Sequence, residues 1–166
     1  MKQRGFTLIE ILVVMAVGGM ILAGVVLSIQ QIFLSTARSN SQVTALADID
    51  RVVLSIKKDL LMTQSTNLTD GDPTPQSSVT LTWIDYTSSF SSSNQTSHSS
   101  SYILSDTELQ RTYDSTMNIV GRHITSIGFT QSGKVIKVTI TATGPTFPYE
   151  SRTLTFSSHI RAEEVE

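Results

Sequence analysis

Hydrophobic and polar positions divide this chain into two unequal parts. From Phe6 to Leu34 the side chains are almost all apolar, and from Ile11 to Ala37 none carries a formal charge, a run of 27 residues. As a helix rising 1.5 Å per residue that run is about 40 Å long, enough for a hydrocarbon core of about 30 Å. Beyond Arg38 the pattern becomes amphipathic. Leu46, Ile49, Val53, Ile56 and Leu60 recur at spacings of three and four, while Asp48, Asp50, Arg51, Lys57 and Lys58 fall off that face. No strong helix breaker occurs before Thr69-Asp70-Gly71-Asp72-Pro73. The pattern predicts one helix from about Phe6 to Met62, half apolar all round and half with a single buried face.

The remainder reads as strands. Val79 to Tyr86 is β-branched and aromatic, and Thr87 to Ser101 reads as a Ser-rich loop without periodicity. Tyr102–Ser105 and Glu108–Tyr113 predict a hairpin, as do Ile124–Thr130 and Lys134–Thr143 around Gln131-Ser132-Gly133. Ile136, Val138, Ile140 and Ala142 alternate with Lys137, Thr139 and Thr141, which buries one face. After the Gly144-Pro145 and Pro148 turn, Leu154, Phe156 and Ile160 share a face. The predicted class is α+β: a long N-terminal helix packed through its amphipathic half on one antiparallel sheet.

Composition narrows the chemistry. The net charge is −2, and no Lys/Arg run lies beyond the N-terminus, which gives no footprint for nucleic acid. There is no cysteine, hence no disulfide, thiol nucleophile or Cys-type zinc site. His98, His123 and His159 are scattered without metal-ligand spacing, and no Gly-rich phosphate loop is present. Asp70-Gly71-Asp72 resembles a fragment of a calcium loop but lacks the six to eight oxygens such a site needs, so a plain turn is the simpler reading. Asn67-Leu68-Thr69 and Asn94-Gln95-Thr96 are formal sequons, and Glu163, Glu164 and Glu166 make an acidic tail. Neither an enzyme activity nor a cofactor is predicted.

The N-terminal residues need more than a plain anchor. Lys2 and Arg4 precede the apolar run and keep that end cytoplasmic, which exports everything after about Arg38. The run is longer than a secretory signal's and ends without an A-x-A site. Glu10 stands about one turn inside it, where a carboxylate costs about 2.5–3.5 kcal/mol on insertion scales. A snorkelling side chain at the interface would lessen that cost.

Lys2-Gln3-Arg4-Gly5-Phe6-Thr7-Leu8-Ile9-Glu10 resembles the prepilin motif of type IV pilins, type II secretion pseudopilins and competence pilins. The resemblance implies a leader, residues 1–5, that prepilin peptidase removes by cutting after Gly5. It implies N-methylation of the new terminus at Phe6, and assembly with other pilin or pseudopilin subunits. It divides the chain into leader, a transmembrane and assembly segment at 6–37, and an exported head at 38–166 made of helix 38–62 and sheet 79–160. The protein would sit in the inner membrane with a single pass, cytoplasmic N-terminus and exported head, and enter an extracellular or periplasmic filament. Glu10 would pair with the Phe6 amine of a neighbouring subunit, in a setting where unit charges interact far more strongly than in water. Gly18, Gly19 and Gly24 allow close packing or local melting, or are simply common residues of membrane helices. Many major pilins carry a proline about twenty residues past the cut, whereas this chain has none before Pro73. The strand order, with Leu109-x-Arg111 and the stretch Thr153–Arg161, is similar to minor pilins of the W type and J-type pseudopilins. The alternative is a membrane-tethered extracellular binding head that never enters a filament.

Overall fold

Thr7 opens the long helix of this computed structural model, which describes residues 7–86 and 95–161. Helix α1 runs unbroken from Leu8 to Met62, 55 residues, and ends where the Thr63 N–H and hydroxyl both donate to the Asp59 carbonyl, at 3.0 and 2.7 Å. Eight strands follow: β1 Ser65–Thr66, β2 Ser78–Tyr86, β3 Gln95–Ser105, β4 Glu108–Tyr113, β5 Thr116–Gly121, β6 Ile124–Ser132, β7 Val135–Thr143 and β8 Ser151–His159. They form two antiparallel sheets in sequential order, β1 to β5 and β6 to β8, so every strand pairs only with its chain neighbours.

Alternation builds the core. In β2, Val79, Leu81 and Trp83 point inward, and in β7 Ile136, Val138, Ile140 and Ala142 do. They meet Ala45, Ile49, Val52, Ile56 and Leu60 of α1 in one hydrophobic cluster that spans both sheets. Ile124 begins β6 with its N–H bonded to the Thr107 carbonyl at 2.9 Å, and Gln76 exchanges hydrogen bonds with Phe129, so the two sheets are stitched together. Gly144 and Gly121 are required for close approach. A Cβ on Gly144 would strike the Ser41 backbone, and one on Gly121 would strike the Val52 side chain.

The α+β class, with a long helix on antiparallel strands, is as expected. Several details differ. The strands make two sheets, not one, because the chain passes from β5 to β6 across Arg122-His123 without continuing the ladder. Gln95 to Ser101 is strand, not loop: it pairs with β2 from Tyr86↔Gln95 to Thr80↔Ser101. Strand β5 was not anticipated; its Met117 and Ile119 face solvent. On α1 the buried face is turned from the expected one. Val52 and Ala45 are fully buried, Val53 is only half-buried and Leu46 is 45% exposed, while Asp48, expected off the face, is buried. Leu154 is 36% exposed on the edge strand β8, beside half-buried Phe156.

Candidate assembly helix and head anchor

The first half of α1 offers no partner to its own side chains. From Leu8 to Leu34 the large apolar residues are exposed, and the helix is long and apolar enough to cross a membrane. The start is well capped. The Thr7 hydroxyl accepts from the Glu10 N–H at 3.4 Å, and Glu10 Oε2 accepts from the Thr7 N–H at 2.9 Å, a capping box. Thr7-x-x-Glu10 displayed that pattern in the sequence, so this role of Glu10 was readable and was missed. Among the described residues Glu10 has no cationic partner. The predicted cleavage and methylation residues, Gly5 and Phe6, lie outside the described residues, as do Asn94 and the acidic tail.

The second half of α1 is held from below and above. At its membrane-proximal end Arg38 Nε meets Glu150 Oε1 at 2.5 Å, the Glu150 N–H donates to Ser41 Oγ at 3.3 Å, and the Gly144 N–H donates to the Glu150 carbonyl at 2.9 Å. In the middle, His123 Nδ1 lies 2.9 Å from Asp48 Oδ2. At the distal end Asp59 is buried. Its carboxylate accepts from Ser100 Oγ at 2.6 Å, Tyr102 Oη at 2.6 Å and both Nε and Nη2 of Arg111, at 2.7 and 2.8 Å. A carboxylate in the last turn of a helix opposes the helix dipole, so it depends on this bidentate cation. Burial, and then the Asp59 carboxylate, push the Tyr102 phenol far above its ordinary value; Asp59 also raises the Arg111 guanidinium. Arg111 stacks on Tyr113, which lies in a ring stack with His98 and Trp83. His98 also pairs with Asp114, whose carboxyl is drawn down first by the Ser99 N–H and then by His98.

The Asp70-Gly71-Asp72 segment is occupied by turn chemistry. Asp70 Oδ1 accepts from the Gly133 N–H at 2.6 Å, tying it to the β6–β7 turn. Asp72 Oδ1 accepts from the Thr74 N–H at 2.8 Å, which lowers its pKa. Among the described residues no three His, Asp or Glu side chains converge as a metal site would require. None of the Asp59, Ser100, Tyr102 and Arg111 contacts was legible in the sequence. The one available signal was an acid three residues from the end of a helix that should favour cations there.

Residues 1–26 match the prokaryotic N-terminal methylation motif. This prepilin-type motif spans Gly5, Phe6, Glu10 and all three membrane-helix glycines, and it stops before the head begins. It implies processing by prepilin peptidase, and with the apolar helix it marks a membrane-anchored, exported protein of a kind that is typically structural and not enzymatic. No curated protein and no solved structure matches the chain.

Proposed function

We propose that the chain is a structural subunit, and a minor one, of a type IV pilus or a type II secretion pseudopilus. Prepilin peptidase cuts after Gly5, Phe6 is N-methylated, and the mature protein enters the filament through the apolar half of α1. The observation that carries this reading is the methylation motif at residues 1–26 joined to a helix whose large apolar side chains from Leu8 to Leu34 stay exposed. Such a surface is satisfied by lipid before assembly and by other subunits afterwards. We read the head as of the W-type minor pilin or J-type pseudopilin kind on the sequence rhythm of Leu109-x-Arg111 and the stretch Thr153–Arg161.

Within this reading Glu10 changes partner. In the precursor it closes the capping box; in the filament it pairs with the Phe6 amine of a neighbour and sets the axial step between subunits. Two variants separate charge from capping. Glu10→Gln keeps an acceptor suited to the box but removes the charge, and Glu10→Val removes both. Both should insert and be cut after Gly5, and both should be lost from the sheared-filament fraction. Processed Glu10→Gln protein in filaments at the parental level would exclude the pairing. N-terminal sequencing of the parent decides the broader choice: a Phe6 terminus supports assembly, and an intact Met1 terminus supports a tethered binding head.

A further inference from the structure

The loop between β7 and β8 carries two large rings with no core to enter. Phe147 is 73% exposed and Tyr149 is 67% exposed, and they stand edge to face with centroids 6.2 Å apart. Two adjacent rings so exposed, more so than Met117 or Ile119 of β5, call for an external apolar neighbour. The loop is also held in place. Gly144 lies against Ser41, the Gly144 N–H closes the loop on the Glu150 carbonyl, and Glu150 is tied to Ser41 and Arg38. Pro145 and Pro148 fix two of its φ angles.

Its height along the helix identifies the neighbour. Phe147 and Pro148 form a cleft with Gln31, Leu34, Ser35 and Arg38 of α1. Counting from Ile11, just past Glu10, a hydrocarbon core of about 30 Å is crossed in about 20 residues and ends near Gln30. Gln31 to about Ser35 then fall in the headgroup layer, about 5–7 Å deep on each side, where aromatic residues concentrate because their rings are apolar and their edges tolerate water, and Arg38 stands just beyond it. We propose that residues 145–149 form an interfacial foot, which seats Phe147 and Tyr149 among the phospholipid headgroups of the outer face of the membrane. The foot fixes how deep the helix sits and which way the head faces while the subunit waits in the bilayer. This rests on the reading that the apolar half of α1 spans the membrane.

The chain has no cysteine, so single sites can be spin-labelled without other changes. The full chain would be reconstituted in phosphatidylethanolamine–phosphatidylglycerol vesicles with a label at Thr146→Cys, an exposed loop position that leaves both rings intact. Met20→Cys reports the span and Leu61→Cys reports the distal head. Collision with oxygen and with a water-soluble nickel chelate reads depth. The label at 146 should lie between the other two, losing chelate collisions relative to Leu61→Cys. Adding Phe147→Ser and Tyr149→Ser should move it into water. If the 146 label is as aqueous as that at 61 while Met20→Cys stays in hydrocarbon, the foot is wrong and the span stands. If the label at 20 is aqueous as well, both fail. Protection at 146 that disappears when protein is diluted in lipid would assign the rings to a second copy of the chain, and would also overturn the foot.

Discussion

The two halves of α1 are one continuous helix with opposite surroundings. From Leu8 to Leu34 its large apolar side chains are exposed, and its own head borders only the last turn, where Phe147 and Pro148 lie against Gln31, Leu34 and Ser35. From Arg38 to Met62 one face disappears into a core shared by two sheets, and acids at Asp48 and Asp59 are buried against partners from the head. Helix formation itself does not distinguish them. What differs is who satisfies the side chains: in the distal half the answer is encoded within the chain, and in the proximal half it must come from outside it. The same substitution should therefore have different consequences in the two halves.

The largest contrast is Val52→Asp against Val25→Asp. At position 52 a charge enters a fully buried site without a cation, which should destabilise the head by about 5 kcal/mol, enough to unfold it. At position 25 the head should denature as in the parent, and the cost should appear in membrane insertion instead, at about 2.5–3.5 kcal/mol. Head unfolding followed by Trp83 fluorescence, beside carbonate extraction of membranes, reads both.

Arg111→Ala comes next. It leaves Asp59 buried with only hydroxyl donors and should cost about 3–5 kcal/mol in denaturant unfolding. The contact is confined to the head, so the apolar half should insert as before. Loss below about 1 kcal/mol would mean that the carboxylate reaches water.

Gly144→Ala should cost about 1–3 kcal/mol, since the added methyl meets helix backbone at Ser41, which cannot swing away. Gly18→Ala, where a Cβ meets nothing in the chain, should leave head stability unchanged. An equal loss at both glycines would erase the distinction between covered and uncovered halves.

The smallest effect is a pH dependence. Folding raises the Tyr102 phenol above its unfolded value, so its contribution is fully present below about pH 10 and is lost as pH climbs toward the folded value. Tyr102→Phe should cost about 1–2 kcal/mol at neutral pH through its hydrogen bonds to Asp59 and Ser55, and should flatten the alkaline limb. Denaturation midpoints between pH 7 and 11 test this, and an unchanged alkaline slope in the variant would contradict it.

What the sequence revealed follows the same division. The extent of α1 was legible, because uninterrupted helix formers and the first breaker after Met62 carry the signal locally. The strands β2, β4, β6, β7 and β8 were legible where one face is apolar. The segment Gln95–Ser101 was not, since its inward residues His98 and Ser100 are as polar as its outward ones and leave no period of two. Strand β5 inverted the usual rule, showing Met117 and Ile119 to solvent while Gly121 sits against the helix. On α1 Ile49, Ile56 and Leu60 are buried as expected, while Leu46 and Val53 give way to their neighbours Ala45 and Val52, because small Ala45 and the buried acid Asp48 carry little apolar signal. At the N-terminus the motif was plain, and its Thr7-x-x-Glu10 spacing also spells the capping box that the structure shows.

The long reach of the head's contacts has a bearing on the order in which the protein matures. Arg38 binds a residue 112 positions later, Ser41 one 109 later and Asp59 one 52 later. The helix is synthesised first, yet Asp59 is fastened by β3 and β4, and Arg38 and Ser41 only by the loop before β8. Closing such distant pairs is slow, because loop-closure entropy is lost before the contacts form. The Arg38 and Ser41 fastenings therefore close only after residues 144–150 have been made, whereas Asp59 can be clasped as soon as β3 and β4 exist. The Gly144–Glu150 loop and β8 thus finish the head on the residues with which it began.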